Sequence, residues 1–364
     1  DDILVFSKDT KKTIEPLEKI YHLQGVGTPE YYFGADFQLH LKDGLETISV
    51  CARTYITNVV KRIEDLMGET LKSFDTPMAT NDHPESDETC LLDNDDHSKY
   101  RMLIGSAQWA IILGRIDITY ATQTLARFAA APREVHLKRA LRMFGYLKNY
   151  PKLGIIYSPG NLKTPKYTIA EINWEEQYPG AHEELPPDMP IAKGNNVSIT
   201  TFVDADHAGD KSTRRSVSGI ILYVNDNPIK WYSKRQNTIE TSTYGAELVA
   251  MRIAVEFIME FRYKLRMMGM PLHGPSLLFC DNKGVVLNTT LPSSTLKKKH
   301  NAIAYHRVRE AVAAKVIQIH HIDGKENVAD LLTKALDGTI FRKHVNTCLQ
   351  KIHGPLGGVS ESTT

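Results

Sequence analysis

The spacing of apolar residues changes near the middle of the chain. Residues 54–67 and 100–149 have apolar side chains three and four positions apart, which predicts one helix and then a bundle of three. Residues 158–196 contain many prolines and glycines and no sustained period, which is typical of a linker. Three short apolar runs between 198 and 233 then predict consecutive strands. A mainly helical first half therefore precedes a second half that opens on strands.

The second half continues as a mixture of strands and helices. After the three strands, the pattern predicts a long helix, a strand, two helices, a strand and a last helix, at 241–268, 277–280, 283–288, 302–314, 316–322 and 328–336. The first residues are less regular: Ile3–Phe6 resembles a strand, 9–24 a polar helix, and 31–34 is apolar and aromatic. We therefore expect a small α/β unit at the start and a mixed sheet at the end.

Composition and charge narrow the class of protein. A chain of 364 residues that is 42% hydrophobic can form two or three cores. Its net charge of +1 gives no global positive field, so a nucleic-acid site would depend on local charge. The four cysteines form no CxxC pair, which disfavours a zinc site and a disulfide framework. No apolar run approaches the roughly 18 residues that span a bilayer, so no membrane partner is expected.

Acidic residues at the ends of elements are the candidate chemistry. Asp204 closes the first strand of the second half, Glu247 lies in the long helix, Asp281 follows the fourth strand, and Asp330 opens the last helix. Any one of them alone would be read as a solvated surface group or a helix cap. Together, carboxylates without cysteine favour magnesium, and two such ions can assist phosphodiester hydrolysis. Asp206 shares a strand face with Asp204 and is the second candidate for the same ligand position.

Five motifs in the second half resemble copia-type ribonuclease H: VDADHAGD (203–210), RRSVSG (214–219), IKWYSKRQNTIETSTYGAELVA (229–250), CDNKG (280–284) and ENVADLLTKAL (326–336). The resemblance implies an α/β fold with a ribonuclease H-like mixed five-stranded sheet flanked by helices. It implies that Asp204, Glu247, Asp281 and Asp330 hold two Mg²⁺ ions, with Mn²⁺ as an alternative. The implied reaction is endonucleolytic cleavage of RNA in RNA–DNA hybrids.

The first half resembles the reverse transcriptase of the same family. DDILVFS (1–7) is similar to the sequence that follows the tyrosine of the YxDD turn, so Asp1 and Asp2 would be the polymerase metal pair. The similarity continues through YYFGADF, TYITNVVKRI, DTPM, YRMLIGSAQW, DITYATQTLARF and RALRMFGYLKN. It implies a C-terminal piece of a retrotransposon Pol polyprotein whose N-terminal reverse transcriptase and integrase parts are missing. The truncated palm and thumb would not polymerise DNA alone.

Departures from the family keep a second interpretation open. The family has Glu and Tyr where this chain has Gly245 and Leu248, and Arg-Pro where it has Arg115-Ile116. A degenerate relic that folds and binds nucleic acid without catalysis is therefore the alternative. A resolvase or integrase-like nuclease is a third interpretation, which the reverse-transcriptase motifs disfavour.

Basic residues supply candidate contacts to nucleic acid. The dense basic patch comprises Lys297, Lys298, Lys299 and His300, followed by Arg307 and Arg309, and phosphate binding competes here with an ordinary solvated surface. Arg214, Arg215 and Lys297–Lys299 are the candidates for contacts to the hybrid. His320 and His321 are either helpers in proton transfer or histidines at a strand end.

The sequence pattern and the family resemblance also predict the domain limits and the location. We expect a reverse transcriptase palm/thumb remnant at 1–78, a helical connection at 79–157, a linker at 158–197, a ribonuclease H domain at 198–340 and a tail at 341–364. The expected location is the cytoplasm, within virus-like particles, with the nucleus as an alternative.

Overall fold

The computed structural model describes residues 3–5, 7–42, 44–167, 172–296 and 299–353. The α-helices within them are α1 Lys11–Glu18, α2 Arg53–Met67, α3 Asn94–Ile112, α4 Thr119–Ala126, α5 Glu134–Asn149, α6 Thr243–Met267, α7 Lys283–Thr290, α8 Ala302–Ala313 and α9 Gly338–Cys348. The strands are β1 Tyr31–Tyr32, β2 Ala35–Lys42, β3 Leu45–Cys51, β4 Leu153–Tyr157, β5 Ile199–Ala205, β6 Val217–Val224, β7 Asn227–Arg235, β8 Ser276–Cys280, β9 Ile317–His321 and β10 Gln350–Lys351.

The strands of the second half form one mixed sheet in the order β7-β6-β5-β8-β9. β5, β6 and β7 pair antiparallel, whereas β8 joins β5 and β9 joins β8 in parallel. Every residue of β5 is buried, as expected for the central strand of a sheet that is covered on both faces. The predicted ribonuclease H-like mixed five-stranded sheet flanked by helices is confirmed.

The long helix α6 covers one face of this sheet. Its alanines at 246, 250 and 254 are fully buried, and their small side chains let the helix backbone lie close to β5. Val203 and Ala205 of β5 point into this core, while their neighbours point to the opposite face. The two faces of β5 therefore have different partners, and Asp204 lies on the face away from α6.

The helices α3, α4 and α5 confirm the predicted bundle of three. They pack on the sheet face opposite α6, because one hydrophobic core includes Tyr100 and Phe144 of the bundle together with Phe202 and Phe279 of the sheet. The two halves of the chain therefore share a core.

A second five-stranded sheet, in the order β1-β2-β3-β4-β10, was not predicted from the sequence. β2 and β3 form a hairpin, and β10, from the expected tail, pairs antiparallel with β4. The expected helix 9–24 is limited to α1, and residues 3–5 lie outside any strand, so the strand-like interpretation of Ile3–Phe6 is wrong for the part that is described. The tail from 341 continues α9, whose Phe341 and Val345 are buried.

The structure corrects two further expectations for the second half of the chain. The described part of 158–197 has no helix or strand, yet it packs on the helices: Trp174 lies over Arg309, and Glu183 pairs with Arg262. The expected helix 328–336 is wrong, because the structure has only a 3-10 helix, Val328–Leu332. The domain limits themselves remain a prediction. No helix in the described ranges is long and apolar enough to cross a membrane.

Candidate active site

The parallel pairing of β5 and β8 brings the first two carboxylates together. Val203 is in register with Cys280, and Asp204 and Asp281 each follow by one residue. Parallel strands place their carboxyl ends at the same edge of a sheet, so these two side chains emerge side by side. Asp204 is buried, whereas Asp281 is partly exposed at the strand end.

Glu247 reaches the same edge from the first turns of α6. Ser242 caps this helix by accepting a hydrogen bond from the backbone amide of Gly245 at 3.3 Å. The cap fixes where the helix begins, and Glu247 then lies four residues into it, only 5% exposed. Gly245 and Leu248, which differ from the residues of the copia-type family, do not displace the Glu247 carboxylate from this edge. A Cβ at Gly245 would lie 2.5 Å from Glu240 Oε2, so a larger residue would require the end of the Glu240 side chain to shift.

Asp330 comes from the 3-10 helix, which Asn327 fixes to the sheet. The Asn327 side chain donates to Val203 O at 2.9 Å and accepts from the amide of Ala329 at 3.2 Å. Gly219, which is opposite Asp204 in β6, makes this approach possible. A Cβ at 219 would lie 2.8 Å from Ala329 O, so a larger residue would push the 3-10 helix away from the sheet.

The structure thus brings all four predicted carboxylates to one edge of the sheet. Single oxygen atoms of Asp204, Asp281 and Asp330 lie within 4.8 Å of one another. Glu247 and Asp281 form a second group at the same limit with Cys280 Sγ. Asp281 belongs to both groups and therefore joins them. The catalytic role of these residues stays a prediction.

Burial and mutual repulsion disfavour the charged forms of these groups. Burial, followed by the charge of Asp204, raises the pKa of Asp330 to about 7. The same two causes raise the pKa of Asp281. Burial raises the pKa of Glu247 well above its usual range, and Asp204 and Asp281 add to the effect. Carboxylates that repel one another in this way are stabilised as anions by a cation placed between them.

Two residues of the site were missed by the sequence analysis. Thr333 donates from Oγ1 to Asp204 Oδ2, which fixes that carboxylate. The ammonium of Lys334 lies 2.8 Å from Asp330 and 3.8 Å from Asp204. The signal was present in the TK of ENVADLLTKAL, because Lys334 follows Asp330 by four residues and such pairs meet on a helical turn.

Asp206 is outside the group, which supports the preference for Asp204. Its carboxylate accepts a hydrogen bond from the amide of Val217 and lies against Gly209. Burial, with a contribution from Asp204, raises its pKa to about 7. Its contact with β6 makes it a support of the strand end.

The expected basic patch is only partly present. Arg309 is buried and donates to the carbonyls of Asn288, Leu291 and Pro292, so its assignment to a phosphate-binding surface is wrong. Arg307 pairs with Glu256 at 3.0 Å.

The remaining basic candidates are nearer to solvent. Lys299 and Arg214 are exposed and Arg215 is partly buried, and none of the three makes an ion pair with a described residue. Lys297, Lys298, Asp1 and Asp2 lie outside the described residues. His321 Nε2 lies 3.1 Å from the backbone oxygen of Asp281, while the ring of His320 packs against that of Tyr167, tilted by 36°, with their centroids 4.5 Å apart. His321 is therefore next to the carboxylates, and His320 is a packing residue.

The residues present fit a hard divalent cation. The donors are carboxylate oxygens, which Mg²⁺ prefers, and Glu247 Oε2 is buried without a hydrogen-bond partner in the described structure. Cys280 is a poor ligand for such an ion, because burial raises the pKa of its thiol well above the usual range and keeps it neutral. The four carboxylates are therefore the set that would hold the ions.

Comparisons with curated proteins show which proteins the chain resembles over most of its length. The chain is 28% identical over 345 residues to the Retrovirus-related Pol polyprotein from transposon RE1 of Arabidopsis thaliana, and 23% identical over 351 residues to that from transposon TNT 1-94 of Nicotiana tabacum. Each alignment covers 94% of this chain. The resemblance to copia-type Pol polyproteins is confirmed. The chain spans about a fifth of the length of these Pol polyproteins, with 20% and 23% covered. No protein-family model matches it.

Solved structures with similar folds include ribonucleases H. The N-terminal ribonuclease H domain of rv2228c from Mycobacterium tuberculosis aligns over 42% of this chain and 99% of its own, at 11% identity and a TM-score of 0.30. LC11-RNase H1, solved in complex with an RNA/DNA hybrid, aligns over 37% of this chain and 94% of its own, at 17% identity and a TM-score of 0.30. At a TM-score of 0.30 these alignments carry no argument about the fold, which rests on the strand order described above.

Proposed function

We propose that this chain hydrolyses the RNA strand of RNA–DNA hybrids, using divalent cations held by Asp204, Glu247, Asp281 and Asp330. The supporting observation is the convergence of Asp204, Asp281 and Asp330 within 4.8 Å at one edge of a mixed sheet. We further propose Mg²⁺ as the natural ion, with Mn²⁺ as a substitute, and cytoplasmic virus-like particles, or else the nucleus, as the location. Its partners would be the other parts of the Pol polyprotein.

The proposed chemistry divides between the ions and the protein. Divalent ions would lower the pKa of water and stabilise charge on the attacking and leaving oxygens. The protein holds the ligand oxygens in place: Thr333 fixes Asp204, and Asn327 fixes the turn that bears Asp330. His321, adjacent to Asp281, is the candidate for moving a proton to solvent.

Selection of the hybrid would rest on the shape of its groove and on the 2′-hydroxyl groups of the RNA strand. Arg214, Arg215 and Lys299, together with Lys297 and Lys298, would place the phosphates. The described members of this set have no ion-pair partner in the described structure, so their charge is available to a ligand.

The decisive experiment is cleavage of an end-labelled RNA–DNA hybrid in Mg²⁺, with single-stranded and duplex RNA as control substrates. Asp281→Asn should abolish cleavage, because it removes the carboxylate that joins both groups of ligand atoms. Asp323→Asn is the matched control, since Asp323 is an exposed helix cap close in sequence to the site, and asparagine caps equally well. Thermal unfolding would establish that both variants fold.

The outcomes separate the two functional hypotheses. Cleavage of the hybrid alone, lost in Asp281→Asn and kept in Asp323→Asn, would establish the enzyme and its site. A wild-type protein that folds and binds the hybrid in EDTA, but does not cut it in Mg²⁺ or Mn²⁺, would contradict the proposal. The degenerate, non-catalytic relic would then be the better interpretation.

A further inference from the structure

A cavity of about 490 Å³ lies between the end of α5 and the start of α9. Its size falls in the range of small-molecule and nucleotide sites. None of the four carboxylates lines it. Phe341 lines both this cavity and a smaller cleft that includes Lys334, so the cavity is next to the cleft beside the acidic cluster.

Aromatic rings form one side of this cavity, and the structure holds them in place. The ring of Tyr146 lies 5.2 Å from that of Tyr150 and 5.7 Å, edge-on, from Phe341. The Tyr146 hydroxyl donates to buried Asp117 at 2.6 Å, and the Tyr150 hydroxyl donates to Asp75 at 2.6 Å. Because both tyrosines are fixed at their hydroxyl ends, Tyr150 offers a rigid, partly exposed ring to a ligand.

Three cations also line the cavity: Lys152, Arg342 and Lys351. The pairing of β10 with β4 puts Lys351 in register with Leu153, and the amide of Ile352 donates to Lys152 O at 2.9 Å. Lys152 therefore precedes the residue that lies opposite Lys351, and both lysines line the cavity. None of the three cations makes an ion pair with a described residue, and Asp75 is the one carboxylate among the lining residues. The lining is therefore electropositive and aromatic.

We propose that this cavity binds one nucleotide of a single-stranded nucleic acid, with the base on Tyr150 and the flanking phosphates on Lys152, Arg342 and Lys351. Aromatic platforms beside cationic residues are how proteins bind single strands without reading sequence. Charge complementarity selects this occupant, because an apolar peptide would leave three cations uncompensated. The site goes beyond hybrid cleavage and does not require the acidic cluster.

The test is binding of a fluorescein-labelled single-stranded oligonucleotide to the full chain in EDTA, measured by anisotropy. The variant Arg342→Gln/Lys351→Gln removes two cations from exposed positions of the cavity. Its matched control, Lys61→Gln/Lys138→Gln, removes the same charge from exposed positions on α2 and α5 that have no ion-pair partner in the described structure. We expect the first to weaken binding about tenfold and to lower the salt slope by about 1.4, as loss of two phosphate contacts requires.

The aromatic part is tested with Tyr150→Phe and Tyr150→Leu and with an abasic strand. Tyr150→Phe keeps the ring but loses the hydrogen bond to Asp75, and should weaken binding much less than Tyr150→Leu, which should weaken the normal strand about tenfold and leave the abasic strand unaffected. Equal binding by the two double variants would overturn the proposal, as would equal loss of both strands in Tyr150→Leu. Displacement by adenosine monophosphate as effective as by unlabelled oligonucleotide would assign the cavity to a free nucleotide instead. Because EDTA prevents cleavage, these outcomes are independent of whether the chain is a nuclease.

Discussion

The ammonium of Lys334 lies 2.8 Å from Asp330 Oδ1, within the cluster of carboxylates proposed to bind metal. Burial opposes the charge on Lys334, but Asp204 and Asp330 outweigh this effect and raise its pKa. The lysine side chain is 45% exposed, so it can turn toward solvent when ions arrive. Lys334 is therefore an internal counter-ion that competes with a divalent cation for the same carboxylates.

Replacing Lys334 with methionine should have opposite effects with and without metal. In EDTA the variant should lose about 1 kcal/mol of stability, because repulsion between the carboxylates is no longer offset. It should bind Mg²⁺ more tightly, because the ion no longer displaces a positive charge. Thermal unfolding in EDTA and across a Mg²⁺ titration measures both effects.

The matched control is Lys343→Met. Lys343 has the same 45% exposure and pairs with Glu326, outside the acidic cluster. Its loss should leave the Mg²⁺ titration unchanged. If Lys334→Met and wild type respond to Mg²⁺ at the same concentration, Lys334 does not compete with the ion for the carboxylates.

Arg309 should be irreplaceable by lysine, although it was predicted to be a surface cation. Its guanidinium donates to three backbone carbonyls and to Ser294 Oγ, at 2.7 to 2.9 Å, and lies over the rings of Trp174 and Tyr305. A lysine ammonium has three donors and cannot reach all four of these acceptors. Arg309→Lys should therefore lower the free energy of unfolding by about 2–3 kcal/mol. Urea denaturation of this variant beside Arg307→Lys, on the same helix, is the measurement. Equal midpoints for the two variants would contradict the buried role.

These two arginines show where sequence analysis reaches its limit. Arg307 and Arg309 are two residues apart in one helix, and Arg309 is the buried one because Trp174 and the carbonyls of residues 288–292 pack around it. The segment around Trp174 has no periodicity, so its docking against α8 could not be anticipated from the pattern. The linker was correctly expected to lack helices and strands, but its side chains still pack.

The carboxylates were predictable because they stand in motifs that resemble those of copia-type ribonuclease H. Asp204 and Asp281 follow apolar strand runs, and the motif order pointed to one site. Lys334 and Thr333 were missed because their role depends on the approach of the 3-10 helix, which Gly219 allows. Likewise, the β4–β10 pair joins residues almost two hundred positions apart, and local patterns do not specify such long-range pairing.

Asp210 should be a strong link between the two halves of the chain. Its carboxylate, almost fully buried, accepts from Arg127 of α4 at 2.7 Å and from Arg235 of β7 at 2.8 Å. Asp210→Ala leaves both cations without this partner and should cost about 3 kcal/mol, whereas Arg127→Met should cost about 1 kcal/mol, since Arg235 still compensates the carboxylate.

Chemical denaturation gives both values, and the control is Asp95→Ala, which removes only a solvent-exposed ion pair with Lys99 and should change the midpoint much less than Asp210→Ala. A cost for Asp210→Ala no larger than for Arg127→Met would show that the halves are held by their apolar core alone.

The last prediction concerns pH and the segment that precedes β5. Glu183 pairs with Arg262 and Arg266, and despite the opposing effect of burial these arginines lower its pKa from 4.5 to about 2. A carboxyl group whose pKa is lower in the folded state stabilises the protein above its unfolded pKa, and this contribution is lost as the pH falls toward the folded value.

Glu183→Gln should therefore lower the free energy of unfolding by about 2 kcal/mol at pH 7, and the difference from wild type should shrink between pH 5 and pH 2. Urea denaturation at pH 7, 5, 4 and 3 measures it. The neighbouring Glu184→Gln, at an exposed position, is the control and should behave as wild type throughout. A difference between Glu183→Gln and wild type that stays constant from pH 7 to pH 3 would mean that the ion pair does not form in solution, because a protonated glutamate would then be no worse than an ionised one.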